Sequence, residues 1–225
     1  MSLEKNSISF VVPCFNEENN INNTIDEICF AISESTVNEY EIIIIDDGST
    51  DNTLQIATKS HKQNNNIKVI NNLNNLGLGG AIKKGLQHAK LNKIMFLPGD
   101  NCHQRTEIKK LININNNYDL VLTYYSNIQI RSFFRTLFTK LYTPFLNLIF
   151  GLNLPYYNGL GIYKRSILKD INIYTNSFTW QIEVLLKLFK TKNINYILVP
   201  TKLDERIDGE SKAFNLKNSI LVHIQ

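Results

Sequence analysis

Short apolar runs alternate with longer segments of helical spacing through the first half of the chain. Ile8–Val12 reads as a buried strand closed by Pro13, and Ile21, Ile25, Ile28, Cys29 and Ile32 then recur on one helical face. Glu41–Ile45 is a second strand, nearly all isoleucine, which suits a parallel strand covered on both faces. A helix is predicted over Thr53–His61, with Ser49, Thr50 and Asp51 as cap candidates. Ile67–Ile70, Ile94–Leu97 and Leu120–Thr123 read as further strands, with Gly79–Leu91 and Glu107–Ile114 as the helices between them. This alternation predicts an α/β fold, a mostly parallel central sheet flanked by helices and joined by right-handed crossovers. In such sheets ligands bind beyond the carboxyl ends of the strands.

The second half is patterned differently. Arg131–Phe150 is a long aromatic segment in which Phe134, Leu137, Phe138, Leu141, Phe145 and Leu148 share one helical face. Arg131, Arg135 and Tyr142 lie off that face. Basic residues beside an aromatic stripe suit an interfacial helix, and the same stripe would serve a core helix equally. NGLGIYK reads as a Gly-rich turn, Thr179–Thr191 as a helix and Ile194–Pro200 as a last strand before a charged tail. No linker rich in Pro, Gly or Ser interrupts the chain, so we expect one domain over 1–225.

Composition narrows the class without naming a chemistry. The 225 residues are 43% hydrophobic and 20% charged, which excludes a disordered chain. A net charge of +4 is too mild to call for nucleic acid, and suits a bound phosphate or an anionic membrane surface. Cys14, Cys29 and Cys102 form no CxxC pair, and their odd number argues against a disulfide framework. MSLEKNSISF lacks the apolar core of a secretory signal, and no run reaches the roughly 18–20 apolar residues of a membrane span. The expectation is a cytoplasmic protein, at most peripheral to the membrane.

Three segments place chemistry at strand ends. In IIIIDDGSTDNT, Asp46 and Asp47 sit where a buried strand opens into a turn, placed for a ribose or base edge and equally for turn and cap duties. In VVPCFNEENN, Phe15 and Glu17 follow the strand-breaking Pro13, with Glu17 also suited to a helix N-terminus. In FLPGDNCHQ, Asp100, Asn101 and His103 offer three ligands for a divalent cation, although an Asp in a Pro-Gly turn is more often structural. LGLGGAIKKG lacks the GK[ST] of a P-loop, and no GxGxxG follows the first strand.

Taken together, VVPCFNE, IIDDGSTDNT, NLGLGGAIKKGL and an acidic motif after the fourth strand resemble family-two glycosyltransferases of the GT-A fold, over at least Ser7–Gln104. The resemblance implies a nucleotide-diphosphate sugar donor held by the half spanning about 7–125. Pro13, Phe15 and Glu17 match positions that wall the nucleobase, and Asp47 one that contacts base or ribose, with Asp46 beside it. Asn75, Gly77 and Gly80 match a loop that lets backbone approach the donor. The family's Asp-X-Asp is here Pro98-Gly99-Asp100, so only its second carboxylate survives to hold Mg²⁺ or Mn²⁺.

The later segments NGLGIYKRSIL, WQIEVLLKLFK and VPTKLDERIDGESK resemble the lipid-phosphate branch of that family, dolichyl-phosphate mannosyltransferases and bacterial polyprenyl-phosphate sugar transferases. That branch implies an inverting transfer to a polyprenyl phosphate at a membrane surface, in cell-envelope chemistry. Arg206 and Lys212 would steady donor phosphates, and Arg131, Arg135 and Ser211 the acceptor phosphate. An Asp common shortly before the Gly-rich turn appears here as Tyr156 or Tyr157. A hydroxyl acceptor would need a base, for which Glu183 is the first candidate and Asp204 the second. A non-catalytic nucleotide-binding homologue is a further reading, prompted by Pro98. A membrane-protein partner or a second copy of the chain stays open.

Overall fold

The computed structural model describes residues 6–114, 117–127 and 133–202, without the side chains of 133–138. The chain runs β1 (Ser7–Cys14), α1 (Ile21–Ser33), β2 (Glu39–Asp46), α2 (Thr53–Gln63), β3 (Ile67–Asn71), α3 (Leu78–His88), β4 (Lys93–Phe96), α4 (Arg105–Ile112) and β5 (Leu120–Tyr125). Then follow α5 (Phe133–Phe150), β6 (Gly161–Lys164), α6 (Arg165–Leu168), α7 (Trp180–Thr191) and β7 (Tyr196–Thr201). The seven strands form one sheet in the order β3-β2-β1-β4-β6-β5-β7. All pair in parallel except β6, which lies antiparallel between β4 and β5.

The isoleucine run of β2 does what its composition predicts. Ile42 and Ile44 face one core, with Phe10, Val12, Ile28 and Leu111, while Ile43 and Ile45 face the other, with Val11, Ile82 and Leu185. The inner strands β1, β2 and β4 therefore hide both faces along most of their length, as a parallel sheet between helix layers must, while the edge strand β3 is only partly covered.

Two sequence expectations change. Pro13 does not end β1, which continues to Cys14 in register with Asp46. Its carbonyl accepts the Gly99 N–H at 3.1 Å, beyond the last residue of β4, so the missing Pro13 N–H falls where the ladder is already ending. NGLGIYK is not only a turn: Gly161–Lys164 inserts as β6 into the middle of the sheet. Four residues are too short to show strand period, and their burial comes from β4 and β5 on either side.

α5 is helical where the aromatic segment predicted, yet its described apolar stripe faces outward. Leu141, Phe145 and Leu148 are 66%, 56% and 84% exposed, while Thr143 and Leu146 turn inward. Asn147 anchors the following loop, its Nδ2 donating to the Leu154 carbonyl at 2.9 Å and its Oδ1 accepting the Tyr157 hydroxyl at 2.8 Å. Among the described residues no helix is long and apolar enough to cross a membrane.

Candidate active site

The carboxyl ends of β1, β2, β3 and β4 bring Glu17, Asp46, Asp47, the 72–80 turn and Asp100 to one edge of the sheet. The first two loops interlock. Asn16 N–H donates to Ser49 Oγ at 2.9 Å, and Asn16 Oδ1 accepts the Thr50 N–H at 2.8 Å. Glu17 N–H donates to Thr53 Oγ1 at 2.8 Å, and Glu18 Oε2 accepts Asn52 N–H and Nδ2 at 2.9 and 2.8 Å. Asn16 takes φ of 52°, a turn that asparagine tolerates better than most residues. No local sequence signal announces this clasp, because its partners lie more than 30 residues apart.

Glu17 is 6% exposed, and its carboxylate accepts Asn20 Nδ2 at 2.9 Å while its carbonyl accepts the N–H groups of Asn20 and Ile21. It thus serves the start of α1, the duty the sequence offered as its plainer reading. Phe15 is half-buried just past β1, and Pro13 is buried within it.

Asp46 and Asp47 part company. Asp47 Oδ1 accepts Asn72 Nδ2 at 2.8 Å and Leu76 N–H at 3.0 Å, so it holds the turn after β3. Asp46 is 1% exposed and its Oδ1 has no hydrogen-bond partner. Burial pushes its carboxyl above the usual carboxylate range; hydrogen bonds from Ser49 oppose this, and the Asp51 and Asp47 charges add to it. An unmatched buried oxygen at a strand's carboxyl end is a cost that a ligand's donor can relieve.

Asn75 Oδ1 accepts the Gly77 N–H at 2.9 Å, and Gly77 takes φ of 80°. The close approach that requires glycine here comes from the chain itself. A Cβ on Gly77 would lie 2.5 Å from the Asn176 carbonyl, and one on Gly79 2.5 Å from that of Thr175. Gly80 meets the Leu76 side chain instead.

Leu97 and Gly99 N–H donate to the Val11 and Pro13 carbonyls at 3.0 and 3.1 Å, prolonging the β1 ladder past β4. Residue 98 falls between these donors, so a proline there breaks no bond with β1. A Cβ on Gly99 would meet Cys14 Sγ at 2.4 Å, so the loop hugs the end of β1. Asp100 emerges half-buried, one oxygen accepting the Cys102 N–H at 3.3 Å. Of the expected Asp100–Asn101–His103 trio, Asn101 donates its N–H to Thr24 Oγ1 at 3.1 Å. His103 is 7% exposed and stacks on Tyr125, ring centroids 6.2 Å apart. Among the described residues no three His, Cys, Asp or Glu side chains converge as a metal cluster.

Glu183, the base candidate, is fully engaged. Its oxygens accept the Tyr174 and Thr175 N–H groups at 2.9 Å each, and Lys187 Nζ lies 2.5 Å away. Burial pushes its carboxyl up, but Lys187 and the two N–H donors outweigh this and hold it below the usual range. Such a group is a poor proton acceptor. Trp180 and Val184 of the same face are buried, Trp180 edge-on to Phe96 at 4.8 Å. Arg131, Asp204, Arg206, Ser211 and Lys212 lie outside the described residues, as does the side chain of Arg135.

A model of glycosyl transferase family 2 matches residues 9–172. Among solved structures, glucosyl-3-phosphoglycerate synthase from Mycobacterium tuberculosis with Mn²⁺, UDP and glucosyl-3-phosphoglycerate is 21% identical, over 91% of this chain and 73% of that one, with a TM-score of 0.65. The same synthase with phosphoglyceric acid gives 21% identity over the same shares and a TM-score of 0.68. With Mg²⁺ and UDP it gives 20% identity, 91% and 72% coverage, and 0.66. The likeness to these structures is one of fold, the GT-A arrangement the motifs predicted.

Proposed function

The chain belongs to glycosyl transferase family 2, and from that premise we propose that it transfers a sugar from a nucleoside-diphosphate sugar to a polyprenyl phosphate. The observation that carries the acceptor is α5. It lies in the chain between β5 and β6, whose first residue Gly161 pairs with Phe96 at the end of β4, and it leaves Leu141, Phe145 and Leu148 uncovered. Covering a side chain of this size contributes about 1.5–3 kcal/mol, enough for a few residues to hold a prenyl chain or the rim of a bilayer. The sequence from Leu120 to Lys169 contains no Asp or Glu, which suits an anionic lipid phosphate. The protein would then work peripherally at the cytoplasmic membrane face.

In this reading the donor lies across the carboxyl ends of the strands. Phe15 offers its ring to the base, Asp46 its unmatched oxygen to base or ribose, and the 75–80 turn its backbone. Glu17 and Asp47 act from behind, by holding α1 and that turn. Mg²⁺ or Mn²⁺ fits a single half-buried carboxylate. Asp100 would hold it, with the diphosphate and water completing its shell, a common way to bind Mg²⁺. When bound, the metal supplies positive charge to the departing diphosphate. Arg206 and Lys212 would add to that charge, and Arg131, Arg135 and Ser211 would receive the acceptor phosphate.

The acceptor's phosphate oxygen forms the new bond to the anomeric carbon from the face opposite the leaving group. The bond from that carbon to the diphosphate oxygen breaks, and the nucleoside diphosphate departs with the electron pair. The attacking oxygen is already anionic, so no base is needed, in keeping with the engaged Glu183.

A second reading, attack by the hydroxyl of a small phosphorylated acid, is favoured by the solved synthase bound to phosphoglyceric acid. One assay separates the two. Labelled nucleotide sugars are offered with Mg²⁺ or Mn²⁺ to a polyprenyl phosphate and to phosphoglyceric acid, with Asp100→Ala alongside. Asp100-dependent label on the lipid is expected. Label on the acid alone would replace the polyprenyl reading, and nucleotide binding without transfer to either would leave a binding homologue.

A further inference from the structure

The 75–80 turn is braced by a strap, residues 172–179, that neither the motifs nor the family assignment accounts for. On the turn side, Gly79 N–H donates to the Asn176 carbonyl at 2.9 Å. Lys83 Nζ, one helical turn further along α3, donates to Asn176 Oδ1 at 2.5 Å and to the Tyr174 carbonyl at 3.3 Å. Contact is so close that neither Gly77 nor Gly79 has room for a Cβ. On the far side the strap hangs on α7. Glu183 accepts the N–H groups of Tyr174 and Thr175 at 2.9 Å each, and Lys187 donates to the Asn172 carbonyl at 2.6 Å. The hydroxyls of Thr175, Ser177 and Thr179 close the strap on itself, at 2.9 Å between the first two and 2.7 Å between the last two.

We propose that Glu183 is a positioning residue for the donor: by holding the Tyr174 and Thr175 N–H groups it presses the strap against the start of α3 and fixes the backbone of the 75–80 turn. Asp47 grips the same turn from the sheet side, through Asn72 and Leu76. The turn is thus clamped between one carboxylate just past β2 and another on α7, more than 130 residues apart in sequence. The inference rests on the reading that this turn lines the donor. It assigns to Glu183 a part in binding, and removes it from the proton chemistry that its place in TWQIEVLL suggested.

The test is calorimetric titration of UDP and GDP with Mg²⁺ into wild type, Glu183→Gln, Glu183→Ala and Lys83→Met, beside donor KM, kcat and its pH profile, and amide hydrogen exchange. Glu183→Ala should weaken the nucleotide about tenfold, the size of losing one or two hydrogen bonds. Glu183→Gln, which keeps one acceptor, should fall between it and wild type. Lys83→Met loosens the strap from the opposite side and should also weaken the nucleotide, which keeps the test alive if Glu183→Ala fails to fold. Exchange should quicken over both 172–179 and 74–80, with kcat at saturating donor and its pH profile kept within about twofold.

A lower melting temperature with unchanged nucleotide affinity would overturn the inference in favour of a purely structural brace. A collapse of kcat with unchanged affinity and an altered basic limb would overturn it in favour of a base. Absence of nucleotide binding in wild type would overturn the donor reading itself, and the inference with it.

Discussion

The β1–β4 region and the α5–β6 region meet at the same edge of the sheet, and they treat their side chains in opposite ways. In the first, apolar residues are enclosed on both faces and the polar residues of the loops bond to one another. Glu17 is tied to Asn20, Asp47 to Asn72 and Leu76, and Asn16 and Glu18 to the start of α2. In the second, an antiparallel strand is slotted into the sheet, and a helix leaves its apolar stripe uncovered. A polar ligand with fixed donors and acceptors rewards a site whose geometry is set beforehand. A lipid asks only for apolar surface near charge. The contrast is what the proposed function asks of a half that binds a nucleotide and a half that meets a lipid.

The comparison breaks most visibly at Asp100, the surviving carboxylate of the acidic motif. Under the proposed function Asp100→Ala should lower transfer by about a hundredfold or more, with its melting temperature close to wild type, because its carboxylate would hold the metal that supports charge on the leaving group and, among the described residues, accepts only the Cys102 N–H. Near-normal transfer would mean that the site works without a metal ligand at this position.

A smaller effect is expected at the clamped turn. Gly79→Ala places a Cβ 2.5 Å from the Thr175 carbonyl, and backbone gives way less easily than a side-chain tip. Chemical denaturation should show a loss of about 1–3 kcal/mol, with nucleotide affinity reduced as well. A fully stable variant would show that the strap is loosely held and that the first region is less preorganised than its hydrogen bonds indicate.

Asp46 sharpens the comparison by the smallest margin. Its folded carboxyl is pushed above the ordinary value of 3.8, first by burial. A raised folded value means that stability is fully present below the unfolded pKa and is lost as pH rises through the folded pKa. Asp46→Asn should therefore be more stable than wild type at neutral pH, lose that gain below about pH 3.8, and bind nucleotide more weakly. Equal stability at both pH values would mean that the unmatched oxygen is satisfied in solution.

Much of this architecture is legible in the sequence, for reasons that differ between the regions. The runs Ile42–Ile45 and Ile67–Ile70 carry their burial in composition, and the helical stripe from Ile21 to Ile32 carries its period, so β2, β3 and α1 lie within a few residues of expectation. The motif residues Asp46, Asp47 and Asp100 do reach one sheet edge, because turn and strand end are local matters. Their division of labour is not local. Asp47 is bound by residues 25 and 29 positions away, Glu183 by a strap that matters only because α3 lies against it, and His103 is drawn inward by Tyr125. β6 carries no strand signal of its own, because its four residues become a strand only between two neighbours. Leu141, Phe145 and Leu148 of the expected α5 face do lie together on one exposed side, whereas whether that side meets core or solvent is decided by Leu146 and Asn147, which dock the opposite side.

The most direct test of the central claim is the double variant Phe145→Glu/Leu148→Glu, assayed for nucleotide affinity and for transfer to polyprenyl phosphate. Both side chains are exposed, so stability should change by no more than about 0.5 kcal/mol. The account predicts unchanged nucleoside-diphosphate affinity and a fall of at least about tenfold in transfer to the lipid. Transfer to the lipid at the wild-type rate would contradict it, and α5 would then have no part in choosing the acceptor.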